Sequence, residues 1–353
     1  MAEPADIASL SLAELKDFAQ SQLGEKPFRA GQIYRWIHKR GARSFEEMTD
    51  LSKELRAKLA ATAVIRRVEK DLEQRSVDGT RKFRWKTDDG KLIESVYMPS
   101  STRQTLCVST QAGCAMGCKF CATATLGLLR NLTASEIVSQ IHAVNRALRE
   151  ENPTGPERPL TNLVFMGMGE PLHNYESLKA ALDILQSEDG PNFSHRHITV
   201  STVGLVPMIE KFASETQVKL AISLNASDDE TRSKIMPVNK RWNIEALLDA
   251  VRKFPMKQGR RVTFEYVLME GVNDTDADAG RLSKLLAGIP VKVNLIQYND
   301  NPGLGFASTK DDRASVFQRI LEGAGVPAFI RENRGRDIAA ACGQLANVEK
   351  APA

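Results

Sequence analysis

From Leu106 onward the chain repeats one pattern: a short β-branched apolar run, a polar or glycine-containing loop, then an amphipathic segment with helical spacing. The runs are LCVST, NLVFMGM, HITVSTV, VKLAISLNA, VTFEYVLM, VKVNLIQYN and PAFIRE. Short apolar runs alternating with helices predict strands joined by helical crossovers, and so a parallel sheet covered by helices. Helix starts are readable between them. Thr133 and Glu136 form an expected capping box, Ser308 and Asp311 a weaker one, and Asn243 an expected N-cap. Six or seven such units make either a doubly wound sheet or an open, partial TIM-like barrel, and both place chemistry at the carboxyl ends of the strands. The unusual residues fall there: a cysteine cluster after LCVST, GMGE after NLVF, STVG ending HITV, SLNA ending KLAI and QYN ending KVNLI.

The first hundred residues read differently. SLAELKDFAQSQL, FRAGQIYRWIHKR and SKELRAKLAATA have helical spacing, whereas AVIRRVEKDLEQ, RKFRWKT and KLIESVYMP alternate as strands. Asp78-Gly79 and Asp89-Gly90 separate these runs as hairpin turns, predicting an antiparallel meander. The expected organisation is a helical accessory module over 1–62, an antiparallel extension over 63–100, a core over 101–345 and a tail over 346–353. At 353 residues the chain is too long for one small core. No apolar run approaches the roughly 18 residues of a membrane span. The N-terminus is acidic where a signal peptide is positive, so the expected location is cytoplasmic. A net charge of +4 permits an anionic partner without demanding one. Basic residues cluster in FRAGQIYRWIHKRGAR and in RRVEKDLEQRSVDGTRKFRWK, which suits either phosphate neutralisation or solvated faces.

Five cysteines are present, and Cys114, Cys118 and Cys121 stand within CAMGCKFC. An odd count argues against a disulfide scaffold. Structural zinc prefers four ligands, commonly in two paired motifs; Cys107 is an available fourth, but it lies in a predicted strand. A cubane iron–sulfur cluster also takes four cysteines, and three leave one iron open for a non-protein ligand.

Cys-x3-Cys-x2-Cys on the loop after the first strand of a βα repeat resembles the radical S-adenosylmethionine superfamily, and GMGEP, Gly167 to Pro171, resembles its glycine-rich motif. The resemblance implies a partial (βα)6 barrel, a 4Fe-4S cluster on the three cysteines, and S-adenosylmethionine on the open iron. A narrower resemblance follows. LCVSTQAGCAMGCKFCATATLGLLRNLTASEIVSQ, FMGMGEPLHNY, ISLNASDDETRSKIMPVNKRW and RGRDIAAACGQL are similar to the RlmN-type methyltransferases, and FRAGQIYRWIHKRG to that family's accessory module.

That family methylates adenine C2 in 23S ribosomal RNA and in transfer RNA. C2 lies between two ring nitrogens and is no nucleophile, so an ordinary methyl transfer fails. The resemblance implies two molecules of S-adenosylmethionine: one methylates a cysteine, and the other yields a 5′-deoxyadenosyl radical that activates the S-methyl group. It assigns the methylated cysteine to Cys342, the resolving cysteine to Cys107, with a transient disulfide between them, and the proton acceptor to Glu94. It assigns S-adenosylmethionine contacts to Gly169, Glu170, Ser201, Ser223, Leu224, Asn225 and Asn299, with a backbone contact favoured at Asn225. It also implies an electron donor such as a flavodoxin or ferredoxin system, and the expected state is a monomer. Met166 and Met168 read as core filling, and His142, His195 and His197 as surface or core residues. Arg331, Arg334 and Arg336 suit either a phosphate clamp or a solvated charge run. The alternative readings are adenine C8 methylation within the same superfamily, a radical peptide-modifying enzyme, and a non-catalytic zinc-containing RNA-binding protein.

Overall fold

Among the described residues ten strands hydrogen-bond into one open sheet, and their spatial order is their order in the chain. The computed structural model describes residues 4–255, 261–301 and 303–346. Of the expected tail only Ala346 falls within them.

Three helices come first, α1 (Leu12–Ser21), α2 (Pro27–Tyr34) and α3 (Lys53–Thr62), and all three were legible from spacing. A five-residue π-helical turn, Arg35–Lys39, extends α2. Ala5–Asp6 pairs in parallel with Ala63–Val64 and ties the start of this segment to its end. Next, β1 (Glu69–Arg75), β2 (Arg81–Lys86), β3 (Leu92–Pro99) and β4 (Gln104–Cys107) pair antiparallel. Gly79 and Gly90 occupy the two tight turns at φ 82° and 79°, a region that side-chain-bearing residues resist.

From β4 the pairing becomes parallel, through β5 (Asn162–Phe165), β6 (Ile198–Thr202), β7 (Lys219–Ser223), β8 (Val262–Leu268), β9 (Val291–Gln297) and β10 (Ala328–Arg331). Each parallel step needs a crossover. The crossovers are α4 (Ala134–Glu151), α5 (Tyr175–Gln186), α6 (Val206–Glu215), α7 (Asp229–Ile235) with α8 (Ile244–Lys253), α9 (Asp276–Leu286) and α10 (Asp311–Gly323). A doubly wound sheet reverses its strand order at a switch point. No reversal occurs among the described residues, so the α/β core is the open, partial TIM-like (βα)6 arrangement, six βα units ending on β10. Among the described residues β1 and β10 are the edges, and the barrel does not close.

Two of the three expected caps form. The Thr133 hydroxyl accepts from the Glu136 N–H at 3.3 Å while Glu136 Oε2 accepts from the Thr133 N–H at 2.9 Å, and Asn243 Oδ1 accepts from the Ala246 N–H at 3.0 Å. Ser308 and Asp311 do not form a box. Helix α10 starts behind Lys310, while Ser308 is held in a bridge to Met269, two residues too early to cap it. The second basic run is also partly turned inward. Arg81 is buried and pairs with Glu73 and Glu151 at 2.7 and 2.9 Å, and Lys82 is buried against Glu94.

His38 of the π turn stacks with His142 of α4, ring centroids 6.2 Å apart, where the N-terminal helices meet the core. Burial first, and the Arg67 charge second, hold both imidazoles well below their ordinary value. An unfolded chain takes up these protons near pH 6.5, whereas the folded chain does not. Stability should therefore hold above that pH and fall below it, by up to about 1.4 kcal/mol per pH unit for each histidine. Thermal or urea melts at stepped pH check this, and His38→Gln should flatten the slope.

Candidate active site

The cysteine loop hangs from a small hairpin in which Gln111–Gly113 pairs with Leu128–Asn131. The loop closes because Gly113 has no side chain: a Cβ there would sit 1.9 Å from the Gly127 carbonyl oxygen, and φ is 76°. The Cys114 N–H then donates to that same oxygen at 2.8 Å. Cys118 is buried, while Cys114 and Cys121 are half-buried. Burial pushes the Cys114 thiol up to about 12, and Cys121 and Glu170 add to the rise. Cys118 is pushed up too, by burial first and then by Cys121 and Cys114. Three thiols packed this way resist ionising together unless positive charge arrives among them. A thiolate-ligated iron–sulfur cluster supplies that charge, so the donor set fits one.

Cys342 reaches this loop from the far end of the chain. The segment after β10 folds back, and the Ala122 N–H, one residue past Cys121, donates to the Gly343 carbonyl at 2.7 Å. The Thr123 hydroxyl donates to the Leu345 carbonyl at 2.6 Å, and Asn301 Nδ2 reaches the Gly343 carbonyl at 3.2 Å. Cys342 is open to solvent by surface area yet crowded by protein, as expected of a residue in a cleft. That crowding pushes its thiol up to about 11; Glu265 and Cys121 add to the rise and Arg331 opposes it.

Cys107 ends β4, buried opposite Val96 of β3. Burial raises its thiol, the neighbouring Cys342 raises it further, and a hydrogen bond from the Met166 backbone opposes both. The cysteine that acts on it is thus Cys342 and none of the loop trio. Among the described residues no three His, Cys, Asp or Glu side chains converge tightly enough to hold a single metal ion, which does not suit a zinc knot.

Residues directly opposite in an antiparallel pair share a face, as do residues two apart along a strand. Glu94 thus shares a face with Val96, and through it with Cys107. Its carboxylate is buried, 3.4 Å from Lys82 Nζ, and accepts from the Ala346 N–H at 3.0 Å. The Cys342-bearing segment is therefore fastened to Glu94 through Ala346.

The remaining expected contacts sit at the carboxyl ends of β5, β6, β7 and β9. Gly167 lies so close to β4 that a Cβ would meet Ser109 Oγ at 2.6 Å. At Gly169, φ is 99° and a Cβ would meet Gln111 Cβ at 2.5 Å. Gln111 Oε1 in turn accepts from the Glu170 N–H at 2.8 Å. Gly169→Ala should strain this crossing by about 1–3 kcal/mol, read as a lower melting temperature with weaker S-adenosylmethionine binding. Burial pushes the Glu170 carboxyl up to about 7, while N–H groups of Leu172 and Val203 bond it at 3.1 and 2.9 Å. Ser201 and Ser223 are half-buried on β6 and β7.

Three expected contacts are already engaged within the protein. Asn225, at a left-handed φ of 57°, accepts from the Val267 N–H through its side chain, and its carbonyl accepts from Asn273 Nδ2 at 2.8 Å. The Leu224 carbonyl accepts from Arg232 Nε at 3.0 Å, and Asn299 Oδ1 accepts from Arg336 Nε at 3.0 Å. Arg334 is likewise fastened, to the Pro99 carbonyl at 2.9 Å.

Sequence reasoning missed Arg232. Its guanidinium is fully buried and bonds the Leu224, Val203 and Ser223 carbonyls and Asn239 Oδ1. It holds the ends of β6 and β7 in register with each other. The only signal was an arginine on α7, a helix otherwise rich in charge.

Residues 5–65 match the family described as the ribosomal RNA large subunit methyltransferase N-terminal domain, and residues 108–281 match the radical SAM superfamily. The chain is 70% identical over 342 residues to dual-specificity RNA methyltransferase RlmN 2 of Myxococcus xanthus (strain DK1622), covering 97% of this chain and 90% of the relative. It is 48% identical to the RlmN of Geobacter sulfurreducens over 340 residues, 96% of this chain and 91% of that one. The crystal structure of a radical SAM methyltransferase from Sphaerobacter thermophilus superposes with a TM-score of 0.91 at 46% identity, covering 97% of this chain and 99% of that one. With the cysteine loop and strand-end constellation in place, the chain belongs to the RlmN family of radical SAM RNA methyltransferases.

Proposed function

We propose that this enzyme methylates C2 of an adenosine in 23S ribosomal RNA and of one in transfer RNA, with Cys342 as methyl carrier, Cys107 as releasing thiol and Glu94 as acceptor of the C2 proton. One observation supports the reading: the segment carrying Cys342 is hydrogen-bonded to the three-cysteine loop, and Cys342 is near enough to Cys107 at the end of β4 to raise its thiol. The relatives' printed dual specificity for RNA supports the substrate class.

A 4Fe-4S cluster on Cys114, Cys118 and Cys121, with S-adenosylmethionine at the strand ends, supplies the one-electron chemistry that makes a methyl carbon reactive. The protein's own residues do the remaining work. Cys342 sulfur is the nucleophile that takes the methyl group by displacement. Because its thiol is held near 11, the thiolate forms during that step and is not stored in advance. Lys82 and the Ala346 N–H fix the orientation of the Glu94 carboxylate. Cys107 attacks the Cys342 sulfur once that sulfur is joined through a methylene to the base. An S–S bond forms, the S–C bond breaks, and its electron pair goes to the methylene carbon, which takes a proton to become the methyl group. An external thiol then reduces the disulfide.

The reading also includes a one-electron donor of the flavodoxin or ferredoxin kind, a monomer, a cytoplasmic location and RNA contact by residues 1–62. No helix among the described residues is long and apolar enough to cross a membrane. Mass spectrometry of nucleosides from RNA of a strain lacking the gene, with and without complementation, tests the proposal. Restoration of 2-methyladenosine is the expected result; 8-methyladenosine, or no modified adenosine, overturns it.

A further inference from the structure

Buried polar side-chain atoms almost always have partners, and each exception asks for an explanation. Five exceptions gather in one place: both ring nitrogens of His38, Nε2 of His142, and Nε and Nη1 of Arg67. His38 is 1% exposed, so bulk water does not serve it. The two histidines line a cavity of about 660 Å3, and His142 and Arg67 line an adjoining one of about 180 Å3. The two cavities share Gly41, His142, Arg146 and Glu150.

This cavity is not the catalytic cleft. It lies on the seam between the π turn Arg35–Lys39 and the second half of α4, with Arg158 and the 190–192 loop on its far wall. Helix α4 starts just after the cysteine-loop hairpin and runs away from it, so Arg149 lies roughly 20 Å down its axis. π-Helical turns cost backbone geometry and are found most often at functional sites.

The wall chemistry selects the ligand. Arg40, Arg146, Arg149 and Arg158 supply cations, and Arg67 adds one in the smaller cavity. Three exposed carboxylates, Glu47, Glu150 and Glu157, offset them only in part. Arg67 is pinned by Nη2 to the Ile37 and Ala42 carbonyls at 2.9 and 3.0 Å, and Arg146 is pinned to the Gly41 carbonyl at 2.7 Å. Both guanidinium groups are therefore preorganised. Several guanidinium groups facing one cavity select an anionic ligand with several oxygens, and a phosphoryl group has that form.

We propose that this seam cavity is a phosphoryl-binding site separate from the catalytic centre. Its occupant is either a phosphate of the RNA substrate or the phosphate of a free small molecule, and the proposal stands independently of which base is methylated.

The test titrates the full-length chain with inorganic phosphate and with pyrophosphate in chloride buffer at fixed ionic strength, read by calorimetry and by thermal shift. One saturable site per chain is expected, with a raised melting temperature. The double variant Arg149→Gln/Arg158→Gln changes two exposed side chains and leaves the buried wall intact, and it should weaken pyrophosphate binding at least about 10-fold. If RNA fills the site, pyrophosphate competes with substrate RNA, and the variant's salt slope for RNA binding falls by about two. If a small molecule fills it, pyrophosphate binds the free and the RNA-bound enzyme alike. Absence of saturable binding, or binding that the double variant leaves unchanged, overturns the proposal. Neither result depends on methyl transfer, so failure here is distinguishable from failure of the C2 assignment.

Discussion

Cys118→Ser is expected to give a folded, colourless protein that binds far less than the roughly four irons of a complete cluster and has lost methyltransferase activity. Serine is nearly isosteric, but its hydroxyl does not ionise as a thiol does and binds iron poorly. Cys118 is the deepest of the three cysteines in the loop. Burial raises its thiol first and Cys121 and Cys114 raise it further, so the site gains most from a cluster that neutralises all three together. The backbone bonds that shape the loop do not use the thiol: Cys114 N–H to Gly127, Lys119 N–H to the Ile235 carbonyl at 2.9 Å, and Ala122 N–H to Gly343. Circular dichroism and melting temperature in the cluster-free state should therefore match the wild type. Activity should fall by at least about 10³-fold, because the remaining residues position but do not activate. A variant that kept its iron and its turnover would remove Cys118 from the ligand set.

The core was legible because its strands are short runs rich in β-branched and aromatic residues that alternate with amphipathic helices, as in Asn162–Phe165 and Val262–Leu268. Turn positions were legible because Gly79 and Gly90 answer a local steric demand. Strand order was not, since either a reversing or a sequential sheet satisfies the same local pattern. The Ser308 cap failed for a related reason. Residue type and spacing allowed a box, but a bridge to a distant segment took the backbone first.

At the site the same division holds. The trio of cysteines is local and stood out in eight residues. The pairing of Cys107 with Cys342 came only from the resemblance, because nothing in either neighbourhood points to a partner more than two hundred residues away. Arg232 and His38 were invisible for the opposite reason. Each lies in a stretch whose charge reads as a solvated face, and only the packing shows one tying strand ends and the other buried without partners.

Replacing Cys107 by alanine should stop the enzyme after one chemical event, with RNA covalently held on Cys342. Once the Cys342 sulfur is bonded through a methylene to the base, a thioether remains, and a thioether does not hydrolyse at neutral pH. It opens when a second sulfur attacks the first, and the proposal gives that attack to Cys107, which ends β4, has its thiol raised by Cys342, and takes a hydrogen bond from the Met166 backbone. Alanine fills most of the same volume beside Val96, so the fold should lose about 1 kcal/mol and not collapse. Multiple turnover should drop by more than about 10³-fold, while a single round of bond formation survives. On a denaturing gel the variant should run as a protein–RNA adduct resistant to heat and to reducing agent, and nuclease digestion should leave an adenosine-derived mass on the peptide containing Cys342. Adding Cys342→Ala must abolish the adduct, since no sulfur then remains to carry the methylene. Free, methylated RNA released over many turnovers by Cys107→Ala alone would remove Cys107 from the mechanism and leave its place beside Cys342 a matter of packing.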